Sequence, residues 1–329
     1  MKRSDLPDGL EPTFSTGIAR LHGVSRTRLR AGDLTAPFHG VRTRVDVDAP
    51  DAAAPPDAET DPYERQRAAR VAHARIYNAR LHTGHFFSHQ TAASIWGGPL
   101  PLEFDERGKV AADHDLDLHV SALGGIPFPR AAGIIGHRTL ASLTSLRVAG
   151  DLRVSSPATT WVSLGTLPLF DLIALGDYFC RCWRVGHGRP DAGRPPLATI
   201  EHLRQALEAG RRRGAKRLRT ALEAVREDSW SPRETRVRCL LVGAGLPEPA
   251  LNVDVYAPSG RFIGCVDMAY ADQKVAIEYL GMLHSHRWAQ DVERLAALRA
   301  AGWTVIEVSA PLLQRPAELV SRVRRALAA

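Results

Sequence analysis

Residues 231–329 pass through a fixed succession of apolar periodicities, and this succession constrains the fold more than any other feature of the chain. Ser231-Pro232-Arg233-Glu234 predicts the start of a helix, with serine at the N-cap, proline at the first helical position and glutamate at the third, a capping box. The helix reaches Val242 and stops at Gly243 and Gly245. Residues 251–256, 262–269 and 274–280 read as strands, the first two separated by the turn Pro258-Ser259-Gly260. Residues 286–300 predict a helix with Trp288, Val292 and Leu295 on one face, ended by Gly302. A strand over 303–308 and a helix over 317–327 complete the order α-β-β-β-α-β-α.

The hairpin inside this pattern carries the chemistry. If Asp272-Gln273 form a two-residue turn, Ala271 faces Lys274 and Asp267 faces Glu278. Directly opposed residues have Cβ atoms about 4.5–5.5 Å apart. Two carboxylates that close repel unless a cation or a shared proton intervenes. Such a pair suits Mg²⁺, which takes one or two carboxylates, waters and phosphate oxygens. The other reading is a turn displaced by one residue, with both carboxylates solvated. The apolar neighbours Val266, Ala276 and Ile277 speak against a fully exposed hairpin.

Upstream, the charge is uneven. Residues 45–62 hold six acidic groups and no basic one, in a chain of net charge +7. This proline- and alanine-rich stretch has no aromatic residue and reads as a solvated linker over 46–62. A second break, 186–198, is dense in glycine and proline. The expected organisation is an N-terminal segment 1–45, a middle α+β segment 63–185, a helical connector 199–230 and the C-terminal domain 231–329. The N-terminal segment has two short helical patterns around His22-Gly23, followed by residues 34–42 as a candidate β-wing. These are the parts of a winged helix-turn-helix. Arg26, Arg28 and Arg30 fall on its second helix and Arg42 on the wing, where they suit DNA phosphates; a helical hairpin with solvated arginines is the alternative. Arg213 and Lys216 belong to a basic cluster that is either a solvated face or a phosphate-tracking surface.

The basic side is almost all arginine, with lysine only at 2, 109, 216 and 274. That bias suits forked contacts with phosphate, and a GC-rich coding sequence produces it equally well. The cysteines at 180, 182, 239 and 265 form no CxxC pair and read as small core residues. His82, His85 and His89 have the spacing of a metal cluster, but Gly84 and the strand-like Phe86-Phe87 break any helix through them, so they read as structural or surface histidines. Asp113-His114-Asp115 reads the same way. No apolar run spans a bilayer and no signal-peptide core follows Met1-Lys2-Arg3, so a cytoplasmic location without membrane association is expected.

From Ser231 onward the chain resembles the Vsr-like (very-short-patch-repair) endonuclease domain of unknown function, in the PD-(D/E)xK superfamily. The pieces that carry the resemblance are Ser231-Pro232-Arg233-Glu234-Thr235, Gly264-x-Val266-Asp267-x-Ala269-Tyr270, Val275-Ala276-Ile277-Glu278-Tyr279-x-Gly281, His284, Asp291-x-x-Arg294 and Gly302-Trp303-x-Val305. Gly23-Val24-Ser25-Arg26-x-x-Leu29 and His39-Gly40-Val41 are similar to a type IV (abortive-infection) antitoxin winged-helix region. The resemblance implies a multi-domain α/β chain ending in a restriction-endonuclease-like αβββαβ domain. It implies Mg²⁺ on Asp267 and Glu278, with Glu234 near the metal and His284 beside the scissile phosphate, where His286 could substitute. Asp291 and Arg294 are spaced to pair on one helix, and Arg294 is a further candidate DNA contact. DNA is the implied ligand and a toxin the implied partner. The sequence departs from the pattern at Leu280, where the superfamily has lysine and this domain commonly has aspartate. An apolar group there neither ligates metal nor offsets phosphate charge. Two main expectations follow: a Mg²⁺-dependent DNA endonuclease, or a catalytically inactive, antitoxin-like regulator or DNA-binding scaffold. A protein-interaction scaffold with no nucleic-acid role is a third.

Overall fold

The computed structural model describes residues 5–45, 61–187, 189, 191–280 and 288–329. It is a mixed α/β chain that divides into two compact units, Met1–Gly165 with Gln205–Gly214, and Thr166–Arg204 with Ala215–Ala329. The expected linker lies, over 46–60, outside the described residues.

The first unit opens with β1 (Thr13–Ser15), α1 (Thr16–Leu21), β2 (Leu34–Thr35) and β3 (Val41–Arg44), whose strands form a sheet in the order β1-β3-β2. Ser15 caps α1 by accepting from the Ile18 amide at 3.1 Å. Leu10, Phe14, Ala19, Val24 and Leu29 make its small core. The predicted second helix is instead a single 3₁₀ turn, Arg28–Arg30, with the Ser25 hydroxyl accepting from the Arg28 amide at 3.1 Å. Leu29 is the only buried residue between 25 and 33, so a longer helix would have no apolar face to bury.

α2 (Pro62–Asn78) follows, capped by Asp61. Next come β4 (His85–Phe87), α3 (His89–Ile95), β5 (Leu118–Leu123), β6 (Ile134–Thr139), β7 (Leu146–Ala149), β8 (Leu152–Ser155) and α4 (Pro157–Ser163). The five strands form a mixed sheet, β6-β5-β4-β8-β7, with β5 and β6 parallel. Phe87, Leu118, Val120 and Val154 pack beneath Tyr77 and Ala92.

The second unit contains α5 (Leu169–Cys180), α6 (Ile200–Glu208, whose last residues belong to the first unit), α7 (Ala215–Ala224), α8 (Pro232–Gly243), β9 (Ala250–Tyr256), β10 (Phe262–Tyr270), β11 (Val275–Tyr279), α9 (Trp288–Ala300), β12 (Thr304–Val308), α10 (Ala310–Leu313) and α11 (Pro316–Leu327). Its sheet has the order β12-β11-β10-β9. β9, β10 and β11 run antiparallel, and β12 joins β11 in parallel after α9. Val237, Leu241, Met268, Ile277, Val308 and Leu319 form one core with α8 and α11. Val255, Val266, Ala276, Leu295 and Leu298 form a second with α9.

α8 and α9 end as their glycines predict. Gly245 and Gly302 adopt positive φ, and the amides of Leu246 and Trp303 reach back to Leu241 and Leu298. α5 is tied to α8 by a buried ion pair. Asp177 accepts from Arg238 at 2.9 Å, from the Thr235 hydroxyl at 2.6 Å and from the Arg226 amide at 2.7 Å. Among the described residues no helix is long and apolar enough to cross a membrane.

Candidate functional site

Three carboxylates, the buried Glu234 and Glu278 and the half-buried Asp267, gather where α8, β10 and β11 meet. The Ser231 hydroxyl accepts from the Glu234 amide at 3.2 Å, as a cap should. The reciprocal half of the capping box does not form. The Glu234 carboxylate instead accepts from the Trp230 amide at 2.9 Å and from Asn252 Nδ2 at 3.2 Å. Asn252 reaches it from β9 with φ of 50°, a left-handed conformation that asparagine tolerates better than most residues.

Asp272 and Gln273 do form the hairpin turn, and the ladder pairs Tyr270 with Val275, Ala269 with Ala276 and Met268 with Ile277. One step further the ladder gives way. Asp267 Oδ2 accepts directly from the Tyr279 amide at 2.7 Å, so this carboxylate fills a strand hydrogen bond. Glu278 is 3% exposed and is gripped by Arg294, with Nη1 to Oε1 at 2.5 Å and Nη2 to Oε2 at 3.5 Å. The same guanidinium donates to Asp291 at 3.3 Å and to the Cys265 carbonyl at 3.3 Å. Gly264 makes this crossing fit, since a Cβ there would stand 2.6 Å from Arg294 Cδ.

The electrostatics follow from burial. Glu278 is pushed up to about 8 by desolvation and then by the Asp267 charge, against the opposing pull of Arg294. Glu234 is pushed up to about 7 by desolvation and then by Asp267. Asp267 is itself raised by desolvation, with the Tyr279 amide and Arg294 opposing. The donor set is all oxygen, which fits a hard cation such as Mg²⁺ and gives no preference to a soft one. The three carboxylates do not all bring an oxygen within 4.8 Å of one another. A cation there would therefore be held by at most two of these carboxylates together with water. Leu280 is half-buried at the end of β11, its amide donating to the Val308 carbonyl at 2.9 Å. His284 and His286 lie outside the described residues.

The predicted phosphate contacts divide into two groups. Arg26, Arg30, Arg213 and Lys216 are exposed. Arg28, Arg42 and Arg294 have internal partners instead. Arg28 forms a forked pair with Asp33 at 2.9 and 2.7 Å, and Arg42 donates to the carbonyls of Leu29 and Val41 at 2.6 and 2.7 Å.

A second cluster escaped the sequence reading. His82 and His85 are structural: His82 Nδ1 accepts from the Gly84 amide at 3.0 Å, and a ring nitrogen of His85 is 2.7 Å from the Pro127 carbonyl. His89, however, joins His119 of β5 and His137 of β6. Ligand nitrogens of all three lie within 4.8 Å of one another, the one such group of three or more metal-ligand side chains among the described residues. His119 Nδ1 is 2.9 Å from His137 Nε2, and the His89 ring stacks on His137 at 3.7 Å between centroids. Burial, then the neighbouring rings, push His89 down to about 2. Burial, His137 and Arg70 push His119 down to about 3, and burial lowers His137. All three rings are neutral at pH 7. The strand register was the missing information: Ser121 pairs with His137, which sets His119 and His137 diagonally on one face.

Two uncharacterized proteins of Mycobacterium tuberculosis, one from each of two strains, are each 29% identical to this chain over 246 residues, 72% of its length and 79% of theirs. No family model and no solved structure matches the chain.

Proposed function

We propose that this chain is a DNA-binding protein whose C-terminal unit hydrolyses phosphodiesters with a divalent cation on Asp267 and Glu278. The observation that carries the reading is the gathering of Asp267 with the buried Glu278 and Glu234, of which Arg294 pairs with Glu278 alone. Burying that much like charge is costly unless protons or a cation compensate it. The β12-β11-β10-β9 sheet, with its carboxylates on the two central strands, supports the endonuclease-like resemblance.

Bound Mg²⁺ would supply charge for the leaving oxygen and lower the pKa of an attacking water. Asp267 and Glu278 are the residues that would hold it. Glu234, poised near 7 and anchored by Trp230 and Asn252, can hold or release a proton at its carboxyl oxygen at neutral pH. As Glu278 ionises near pH 8, Arg294 is its counter-ion in the metal-free chain. The exposed Arg26, Arg30, Arg213 and Lys216 supply sequence-independent phosphate contacts.

A second reading, a catalytically silent DNA-binding regulator, is favoured by Leu280 and by the grip of Arg294 on both oxygens of Glu278. A nicking assay on supercoiled plasmid with Mg²⁺ or Mn²⁺ separates the two. The hydrolase reading expects metal-dependent nicking that Asp267→Ala abolishes. Salt-sensitive DNA binding without nicking, by a folded chain, leaves the regulator.

A further inference from the structure

We propose that His89, His119 and His137 form a binding site for a zinc-class divalent transition-metal ion. The three side chains come from three separate elements, the start of α3, β5 and β6, yet bring ligand nitrogens within 4.8 Å of one another. Three imidazoles with an open fourth position are a recurring zinc donor set, and borderline-soft nitrogen ligands select Zn²⁺, Co²⁺ or Ni²⁺ over Mg²⁺. Arg70 is the charged group other than the rings themselves that acts on the cluster, and no carboxylate does. A hard cation finds no carboxylate there. This site lies wholly within the first compact unit and does not depend on the carboxylates of the second.

Two features of the local backbone point to a ligand. His89 opens α3 with φ of 50°, a left-handed conformation uncommon outside glycine that asparagine, aspartate and histidine adopt more readily than other residues, and that persists where the surroundings hold it. Ser88 occupies the N-cap position but makes no side-chain cap bond. Its hydroxyl is 2.9 Å from His89 Nδ1 and accepts from the Ser121 hydroxyl at 2.7 Å. A serine that would ordinarily cap the helix is committed to orienting a histidine, as outer-shell partners of metal ligands do. With Nδ1 engaged, Nε2 is the nitrogen left to ligate. A proton shared between His119 and His137 accounts for their 2.9 Å contact, but it gives no reason for His89 to be held over them in a strained conformation. Ligation turns the His89 ring out of its stack so that the three nitrogens converge, with water in the fourth position.

The test is titration of the chelator-treated full chain with Co²⁺, followed by its visible absorption, and with Zn²⁺ by competition. The expected result is one equivalent bound with the spectrum of a four-coordinate ion, retained in excess Mg²⁺. His119→Gln and His137→Gln should each weaken binding about 100-fold or more, and Ser88→Ala, which keeps all three ligands, about 10–100-fold. Asp267→Asn should leave it unchanged. Matching far-ultraviolet circular dichroism shows that the variants fold. Failure of the wild-type chain to take up Co²⁺ or Zn²⁺, uptake undiminished in the histidine variants, or uptake lost in Asp267→Asn overturns the proposal.

Discussion

The most informative single change is Asp267→Asn, read through the pH dependence of stability. Glu278 ionises near 4.5 when unfolded and at about 8 when folded, so the folded chain holds a proton that the unfolded chain releases. That stability is fully present below 4.5 and is lost as pH rises through 8, at about 1.4 kcal/mol per pH unit. From pH 6.5 to 8 the unfolded histidines, half protonated at the start, lose their protons while His89 and His119 stay neutral in the fold, which returns about 0.4 kcal/mol each, equally in wild type and variant. Over that window Glu278 costs the metal-free protein about 2 kcal/mol, and Glu234, at about 7, adds roughly 0.7. The amide introduced by Asp267→Asn retains an oxygen for the Tyr279 N–H but removes the charge that ranks second after burial in raising both glutamates. The expected loss in the variant is half or less. Urea denaturation at pH 6.5 and 8, in chelator and in Mg²⁺, measures it. Mg²⁺ at about 100 times its Kd should return about 2.7 kcal/mol to the wild-type chain at pH 8 and little to the variant. A change in metal-free stability between pH 6.5 and 8 that is the same in wild type and in Asp267→Asn refutes the reasoning.

Other perturbations have defined outcomes. Arg294→Ala removes the counter-ion of Glu278 and should cost about 3 kcal/mol at pH 8 but less at pH 6, where Glu278 keeps its proton, by urea midpoint. Asp177→Ala leaves Arg238 buried without its closest carboxylate and should cost about 3–5 kcal/mol in the same assay. In acid the sign reverses: His89 and His119 resist protons that the unfolded chain accepts, so stability falls as pH drops below 6.5. Each should cost about 2 kcal/mol between pH 6.5 and 5, and His119→Gln should flatten that limb. Leu280→Lys places a cation where the endonuclease superfamily has one and should raise metal-dependent nicking about 100-fold over the wild-type rate in the plasmid assay.

The C-terminal unit was legible because its signals are local. Ser231, Pro232, Gly245 and Gly302 punctuate the helices, and a two-residue turn fixes the hairpin register by arithmetic. The helix expected after Ser25 fails because capping residues are visible in the sequence while the want of an apolar face beyond Leu29 carries more weight in the fold. The role of Glu234 was ambiguous for a physical reason. The same residue in the same position can reach back to its cap or turn inward, and Asn252, eighteen residues on, decides it. The partners of Arg28, Arg42 and Arg294 were hidden in the same way, because a free arginine and a paired one look alike in sequence. The histidine cluster depends on pairing between β5 and β6, and no spacing along the chain records that His119 and His137 share a face.

Direct counting of bound Mn²⁺ by electron paramagnetic resonance, on the full chain with its histidine cluster saturated by Zn²⁺, tests the central claim. The carboxylate account predicts one Mn²⁺ per chain at pH 8, displaced by Mg²⁺, weakened at pH 6 as Glu278 and Glu234 take up protons, and lost in Asp267→Asn. No Mn²⁺ bound at pH 8, or one bound equally well by wild type and Asp267→Asn, would contradict it.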